Sequence, residues 1–455
     1  MKRKSQDRYT LLTTGYVPRV ISTLAVPSII SMLVTSFYNV ADTYFVGQLN
    51  TQSTAAVGIV ASVQFIVQAV AFFFGQGSGN YISRQLGARE VEHASRMAAT
   101  AAVMAFLCGL FIAVGVFLFI TPISIALGST PTILPYTEQY LSIVMLGAPF
   151  LAAQITMNNQ MRYQGNAAYA MIGIVSGAVL NILLDPLFIF GLGMGVSGAA
   201  LATAVSQFCA FCVIVAMTFR GGNLRIKLQQ FTPSWYYIKE IVSGGTPSLA
   251  RQLLGSVAAI MLNTAAARWG GDAAVAGMSI VTRLTFFINS ALIGFGQGFQ
   301  PLCGFSYGAH LYSRVRQGYW FCVKIGTAFL VLIALFGYGY AEEIIALFRD
   351  DGEVIKVGAA TLRWQFFTFP LGAIVMYSNM MMQTIRKPVR ATILSSARQG
   401  LFFIPCILIL PSLMGLAGVI VCQAVADLLS FLLAIPLVGS VLYELRKEEQ
   451  AYQQA

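Results

Sequence analysis

Residues 20–46 read VISTLAVPSIISMLVTSFYNVADTYFV, a run whose only charged side chain, Asp42, stands near its far end. About 20 apolar residues in a helix cross the ~30 Å hydrocarbon core of a bilayer. The run therefore predicts a membrane span. It is too long for the apolar core of a cleavable signal peptide, and no small-residue cleavage site follows it. Lipid offers backbone N–H and C=O groups no partners, so the span must be helical. Comparable runs follow near 55–81, 97–120, 138–161, 167–190, 196–219, 241–266, 273–301, 319–340, 358–383, 392–413 and 416–443, which makes twelve.

Composition agrees. Of 455 residues, 57% are hydrophobic and 10% charged, and the mean hydropathy is +0.73. A water-soluble surface needs about 25% charged residues. Alternating segments of ~10 residues, the mark of a transmembrane barrel, are missing. The net charge of +11 reads as topology rather than nucleic-acid binding, because the cations gather in alternate connections. The N-terminal arm carries Lys2, Arg3, Lys4, Arg8 and Arg19, and later connections carry Arg84, Arg89 and Arg96, then Arg162, then Arg220, Arg225, Lys227 and Lys239. Arg314, Arg316 and Lys324, then Arg386, Lys387 and Arg390, and finally Arg446 and Lys447 continue the series. The opposite loops hold Arg268, Arg349 and Lys356 against Glu342, Glu343, Asp350, Asp351 and Glu353. Positive charge stays on the cytoplasmic side, so both termini are expected there, in a multi-pass membrane protein.

The chain also repeats itself at an offset near 220 residues. Pro27-Ser28 matches Pro247-Ser248, and Phe74-Gly75-Gln76-Gly77 matches Phe295-Gly296-Gln297-Gly298. Gly87-Ala88 matches Gly308-Ala309, Pro149 matches Pro370, and Gly195 and Gly198 match Gly415 and Gly418. Six spans per copy make both copies enter from one side, with a cavity expected between them. The fold class is thus an all-α membrane protein, twelve transmembrane helices in two pseudo-symmetric six-helix lobes around a central cavity. The expected division is an arm at 1–19, an N-lobe at 20–219, a cytoplasmic linker at 220–240 that lets the halves rock, a C-lobe at 241–443 and a tail at 444–455.

Charge inside a membrane costs roughly 2.5–3.5 kcal/mol on insertion scales, which makes intramembrane ionisable residues functional candidates. Asp42, Asp185 and Asp427 are the acids, and Arg251, Arg283, Arg363 and Arg398 are the cations. Asn181 and Asp185 are four apart and share a helix face. Asp42, Asn181 and Asp185, with Thr203 as a further donor, offer oxygens for a Na⁺; alternatively, burial and like charge make one carboxylate a proton carrier. A structural network, or Asp42 capping a loop, is the non-functional alternative. Candidate lining residues for the substrate cavity are Tyr38, Asn39 and Gln64 in the first half and Arg251, Gln252, Arg283 and Phe287 in the second. The arginines would attract anions, or Arg398 or Arg283 would simply pair with Asp427; the pairing is the favoured reading. Cys108, Cys209, Cys212, Cys303, Cys322, Cys406 and Cys422 fall in apolar runs and read as small buried hydrophobes. No metal site beyond a Na⁺ at the Asp42 cluster is expected. Gly75-Gln-Gly77-Ser-Gly79 reads as small-residue helix packing, not a phosphate loop. No nucleophile, base or metal set converges, so the chain is not expected to be an enzyme.

Pro27 in span one, Asp42-Thr43-Tyr44-Phe45-Val46-Gly47 at its end, the paired Phe-Gly-Gln-Gly segments, Asn181-Ile-Leu-Leu-Asp185-Pro186 and Gly195-Val-Ser-Gly198-Ala-Ala together resemble the multidrug and toxic compound extrusion (MATE) family, in its MepA-like bacterial branch. The resemblance implies a multidrug efflux antiporter that exports organic, often cationic, compounds against Na⁺ or H⁺ by alternating access. It implies a coupling site at Asp42, Asn181, Asp185 and Thr203. Other branches carry acids in spans seven and ten; here span seven offers Arg251 and Gln252, and span ten has none. The partners implied are small-molecule drugs or metabolites and membrane lipid, with no cofactor, nucleic acid or obligatory protein partner. A lipid-linked sugar flippase, or an exporter of anionic metabolites from the same superfamily, is the alternative.

Overall fold

In a computed structural model the described residues are 2–220 and 224–454. The side chains of 2–7, Asn39, Val40 and Thr43 lie outside the description. The described residues form fifteen α-helices and no strand: α1 (Lys2–Thr14), α2 (Val17–Gly47), α3 (Thr51–Gly87), α4 (Val91–Leu118), α5 (Ile120–Ala126), α6 (Leu134–Tyr163), α7 (Ala167–Pro186), α8 (Val196–Thr218), α9 (Trp235–Gly308), α10 (Tyr312–Gly339), α11 (Ala341–Ala346), α12 (Gly352–Thr384), α13 (Pro388–Ser396), α14 (Phe403–Met414) and α15 (Leu416–Gln454).

Ten helical stretches are long and apolar enough to cross a membrane, with α13 and α14 counted as one. The 74-residue α9 is broken at Gly271 (φ 63°, ψ −160°) and supplies two crossings. The less apolar α12, 33 residues long, completes the twelve. Short polar side chains cap the starts of two of these helices. Asn50 Oδ1 accepts from the Ser53 N–H at 2.7 Å at the head of α3, and Asp351 does the same for Glu353 and Val354 at α12.

Three details add to or correct the expectations. The arm is helical as α1. Arg162, counted with the loop cations, is buried in the last turn of α6 and donates to Asn159 Oδ1. A helix C-terminus favours a cation, which accounts for its tolerance there. The linker is held to the first unit: Leu224 N–H donates to Gln164 Oε1 at 2.8 Å, and Thr232 N–H to Thr100 Oγ1 at 3.1 Å. Arg84 pairs with Glu240 at 3.1 Å at its end.

Contacts divide the chain into two compact units, one of residues 1–15 and 23–245, the other of 16–22 and 246–455. Within each unit the same internal geometry recurs. Left-handed backbone follows α3 at Arg89 (φ 64°) and α9 at His310 (φ 60°), and follows α6 at Gly165 (φ 78°) and α12 at Arg386 (φ 66°). Gly195 and Gly415 take φ 57° and φ 60° before α8 and α15. Asn158 Nδ2 donates to Ala170 O at 2.6 Å, and 221 residues later Asn379 Nδ2 donates to Ala391 O at 2.6 Å. Thr156 reaches Ala71 O at 3.1 Å, and Tyr377 reaches Leu292 O at 3.3 Å. Each asparagine bonds a buried turn to the following span. Asn158→Ala and Asn379→Ala should therefore each cost about 0.5–1.5 kcal/mol by removing a buried hydrogen bond. Thermal unfolding in detergent should show the two losses to be similar, and a loss confined to one would separate the two units.

The cysteines correct a simpler expectation. Cys303, Cys322 and Cys422 are buried, but Cys108, Cys209 and Cys406 are only half-buried and Cys212 is exposed. A thiol is apolar enough to face lipid, so an apolar run does not by itself fix the side of the helix. The glycine-rich stretch of α3 is a packing surface as expected. A Cβ at Gly77 would stand 2.3 Å from Ile241 O, so only glycine lets α3 and the start of α9 lie this close.

Candidate functional site

The first unit brings four of the predicted residues together. Asp42 comes from α2, Asn181 and Asp185 from the last turns of α7, and Thr203 from α8. Pro186 explains why α7 ends where it does. Proline has no N–H to donate and crowds the preceding turn. The chain loosens into a π-helical turn, Leu187–Gly191, in which Leu192 N–H reaches back to Leu187 O at 2.9 Å. Such turns are frequent at functional sites. Gly195 then reverses the chain with its positive φ. At Gly198 a Cβ would meet Phe188 O at 2.7 Å, so glycine lets the first turn of α8 press against the π turn. That close approach sets Thr203 opposite Asn181.

Burial is nearly complete: Asn181, Asp185 and Thr203 are 1%, 0% and 2% exposed. With its amide turned to satisfy both ends, Asn181 donates to Asp185 Oδ2 at 3.0 Å and accepts from the Thr203 N–H at 3.3 Å. Asp185 Oδ1 is covered and bonds to nothing. Asp42 is half-buried as a residue, yet its Oδ1 is also covered and without a partner. Unbonded buried carboxylate oxygens cost free energy that an arriving proton or cation would recover. The donor set of two carboxylates, an amide and a hydroxyl is the hard-oxygen chemistry that suits a small alkali cation, and it suits a proton equally well. Among the described residues no three His, Cys, Asp or Glu side chains gather to hold a metal ion.

Tyr38, a candidate for the substrate cavity, lies beside Thr203 and within electrostatic range of Asp42 and Asp185. Tyr140 of α6 occupies a matching position and was missed. A tyrosine inside an apolar span was its only signal, and the repeat places Thr361 where a second tyrosine would have to be. Asn39 has no described side chain. Gln64 is half-buried, with Nε2 covered and unpartnered.

The remaining candidates lie in the second unit. Arg251 and Gln252 are half-buried on α9, and Arg283 and Phe287 are exposed. The pairing of Asp427 is settled in favour of Arg398. Nε donates to Oδ1 at 2.7 Å, Nη2 donates to Oδ2 at 3.3 Å, and Gln423 Nε2 adds a bond at 2.8 Å. Arg363 pairs with Glu342 at 3.1 Å.

A family model described as MatE matches residues 27–187 and again 247–409. The chain belongs to the MatE family. The two matched stretches begin 220 residues apart, the offset of the internal repeat. The multidrug export protein MepA of Staphylococcus haemolyticus (strain JCSC1435) is 28% identical over 419 residues, 92% of each chain. MepA of Staphylococcus aureus (strain MSSA476) is 28% identical over 417 residues, 91% of this chain and 92% of its own. Among solved structures, an outward-facing multidrug resistance MATE family transporter of the MOP superfamily superposes with a TM-score of 0.90 at 26% identity, covering 96% of this chain and 98% of that one. A MOP superfamily transporter from Pyrococcus furiosus, whose binding pocket is described as reversed in polarity, gives 0.89 at 26% identity with coverage of 96% and 98%. This MATE chain is therefore a multi-pass multidrug efflux transporter and not an enzyme.

Proposed function

We propose that this transporter is an antiporter that expels organic, often cationic and amphipathic, compounds in exchange for Na⁺ or H⁺. One observation carries the reading: two carboxylates of one unit, Asp42 and Asp185, keep covered oxygens without partners, and Asp185 is joined through Asn181 to Thr203. Such a site is least favourable when empty and gains most from a cation. Coupling requires the cation to favour one conformation and the drug the other, since a ligand with equal affinity for both shifts nothing. In the proposed cycle drug enters from the cytoplasm, the lobes rock and drug leaves outside. Cation or proton uptake at Asp42 and Asp185 then returns the protein inward. Both termini are placed in the cytoplasm of a bacterial cell, on the basis of the loop cations.

Efflux of a fluorescent organic cation from proteoliposomes tests this, with the Na⁺ and pH gradients imposed separately. Efflux driven by one gradient supports antiport and names the ion. Efflux indifferent to both would remove it.

A second reading, export of anionic compounds, has one observation in its favour. Arg363 and Arg398 are neutralised by Glu342 and Asp427, whereas Arg283 is exposed and joins no ion pair among the described residues. Arg283→Gln should reduce transport of an anionic dye several-fold and leave a cationic dye unaffected if this reading holds. Equal rates for both dyes in mutant and wild type would dismiss it.

A further inference from the structure

The second unit contains an apolar groove of about 420 Å³ bounded by Leu284 and Ile288 of α9, Leu332 and Phe336 of α10, Ile344 of α11 and Phe366 of α12. We propose that this groove holds one acyl chain of a membrane phospholipid, in the leaflet on the α11 side.

The groove owes its depth to Gly337. A Cβ there would stand 2.1 Å from Phe366 Cε2, so the Phe366 ring rests on the α10 backbone and forms a wall of the groove beside Leu332 and Phe336. Protein interiors are close-packed, and a space of this size is filled by something or collapses. Water requires polar partners to remain in such a space, and the named walls are all hydrocarbon. Small-molecule sites combine apolar walls with a few convergent polar groups; none of these walls supplies one.

What adjoins the groove identifies the occupant. Its mouth is continuous with the lipid-facing surface of α10, where Leu332, Leu335 and Phe336 are 68%, 70% and 64% exposed. At its polar end, one helical turn before Phe366, Arg363 Nε donates to Tyr338 O at 3.4 Å and Nη2 pairs with Glu342. Tyr338 and Tyr340 are exposed at the same end. Tyrosine and charge in this arrangement mark the headgroup level of a bilayer, so the groove beneath lies at acyl-chain depth.

The test uses the full-length protein in vesicles of phosphatidylethanolamine and phosphatidylglycerol, with a trace of phosphatidylglycerol carrying a diazirine in its acyl chain. After irradiation, adducts should concentrate on residues 284–288 and 329–337, well above those at the exposed Phe111 and Leu118 of α4. Leu284→Trp and Ile344→Trp, which fill the groove from different helices, should each lower the groove adducts several-fold and leave those on α4 unchanged. Three results would overturn the assignment: no enrichment over α4 in the wild type, no loss in either filled variant, or displacement of the lipid label by a transported organic cation. The last would make the groove a substrate site. Labelling is read without transport, so its outcome is independent of the antiport reading.

Discussion

Asp185→Asn is expected to reduce gradient-driven efflux to the passive leak while the protein still inserts and folds. The amide keeps the size of the carboxylate and loses the charge. Moving a two-state equilibrium from one face to the other takes about 5.5 kcal/mol of differential binding. A cluster with one of its two carboxylates neutralised cannot supply that from Na⁺ or H⁺. The covered Asp185 Oδ1 has no partner in the wild type, so removing the charge should leave thermal stability equal or raise it. Asp42→Asn should give the same loss of efflux. Initial efflux rates in proteoliposomes, measured beside melting curves in detergent, separate a failed coupling site from a failed fold. Wild-type rates in either variant would strike that residue from the mechanism.

Arg398→Leu is expected to be the most destabilising single change in the second unit. Asp427 is 6% exposed and its carboxylate meets the guanidinium at 2.7 Å and 3.3 Å. Removing the arginine leaves a buried carboxylate with only Gln423 to solvate it. Breaking a buried pair on one side costs about 3–5 kcal/mol. Replacing both partners with leucine should recover most of that, because an ion pair and an apolar pair of similar size are often nearly equivalent. Thermal unfolding of the two single variants and the double variant forms a complete cycle. A single variant as stable as the wild type would show that the pair contributes nothing.

The second unit thus treats its intramembrane charge differently from the first. Asp427 is neutralised by a guanidinium, whereas Asp42 and Asp185 join no ion pair among the described residues. Side-chain identity alone could not distinguish these cases, because all three aspartates sit in apolar runs. Partner choice depends on which helix faces meet. Arg162 makes the same point from the other side: its sequence position suits a loop, and its side chain is buried in α6.

The repeat was legible where glycine or proline marks a backbone requirement, as at Gly195 and Gly415. It was hidden where the same left-handed turn is made by Arg89 in one copy and His310 in the other, or by Gly165 and Arg386. Hydrogen bonding and packing hold those turns whatever the residue type, so only the backbone reveals them.

Local rules were sufficient for the twelve spans, the duplication and the acids buried within them. The insolubility of unpaired backbone in lipid and the cost of charge there act residue by residue, and a sequence displays them directly. The meeting of Tyr38 and Tyr140 with Asp185, the choice of Arg398 for Asp427 and the groove left open by Gly337 came from tertiary structure alone. Each depends on the angle at which one helix crosses another, and that angle is set by close-packing among residues distant in the chain.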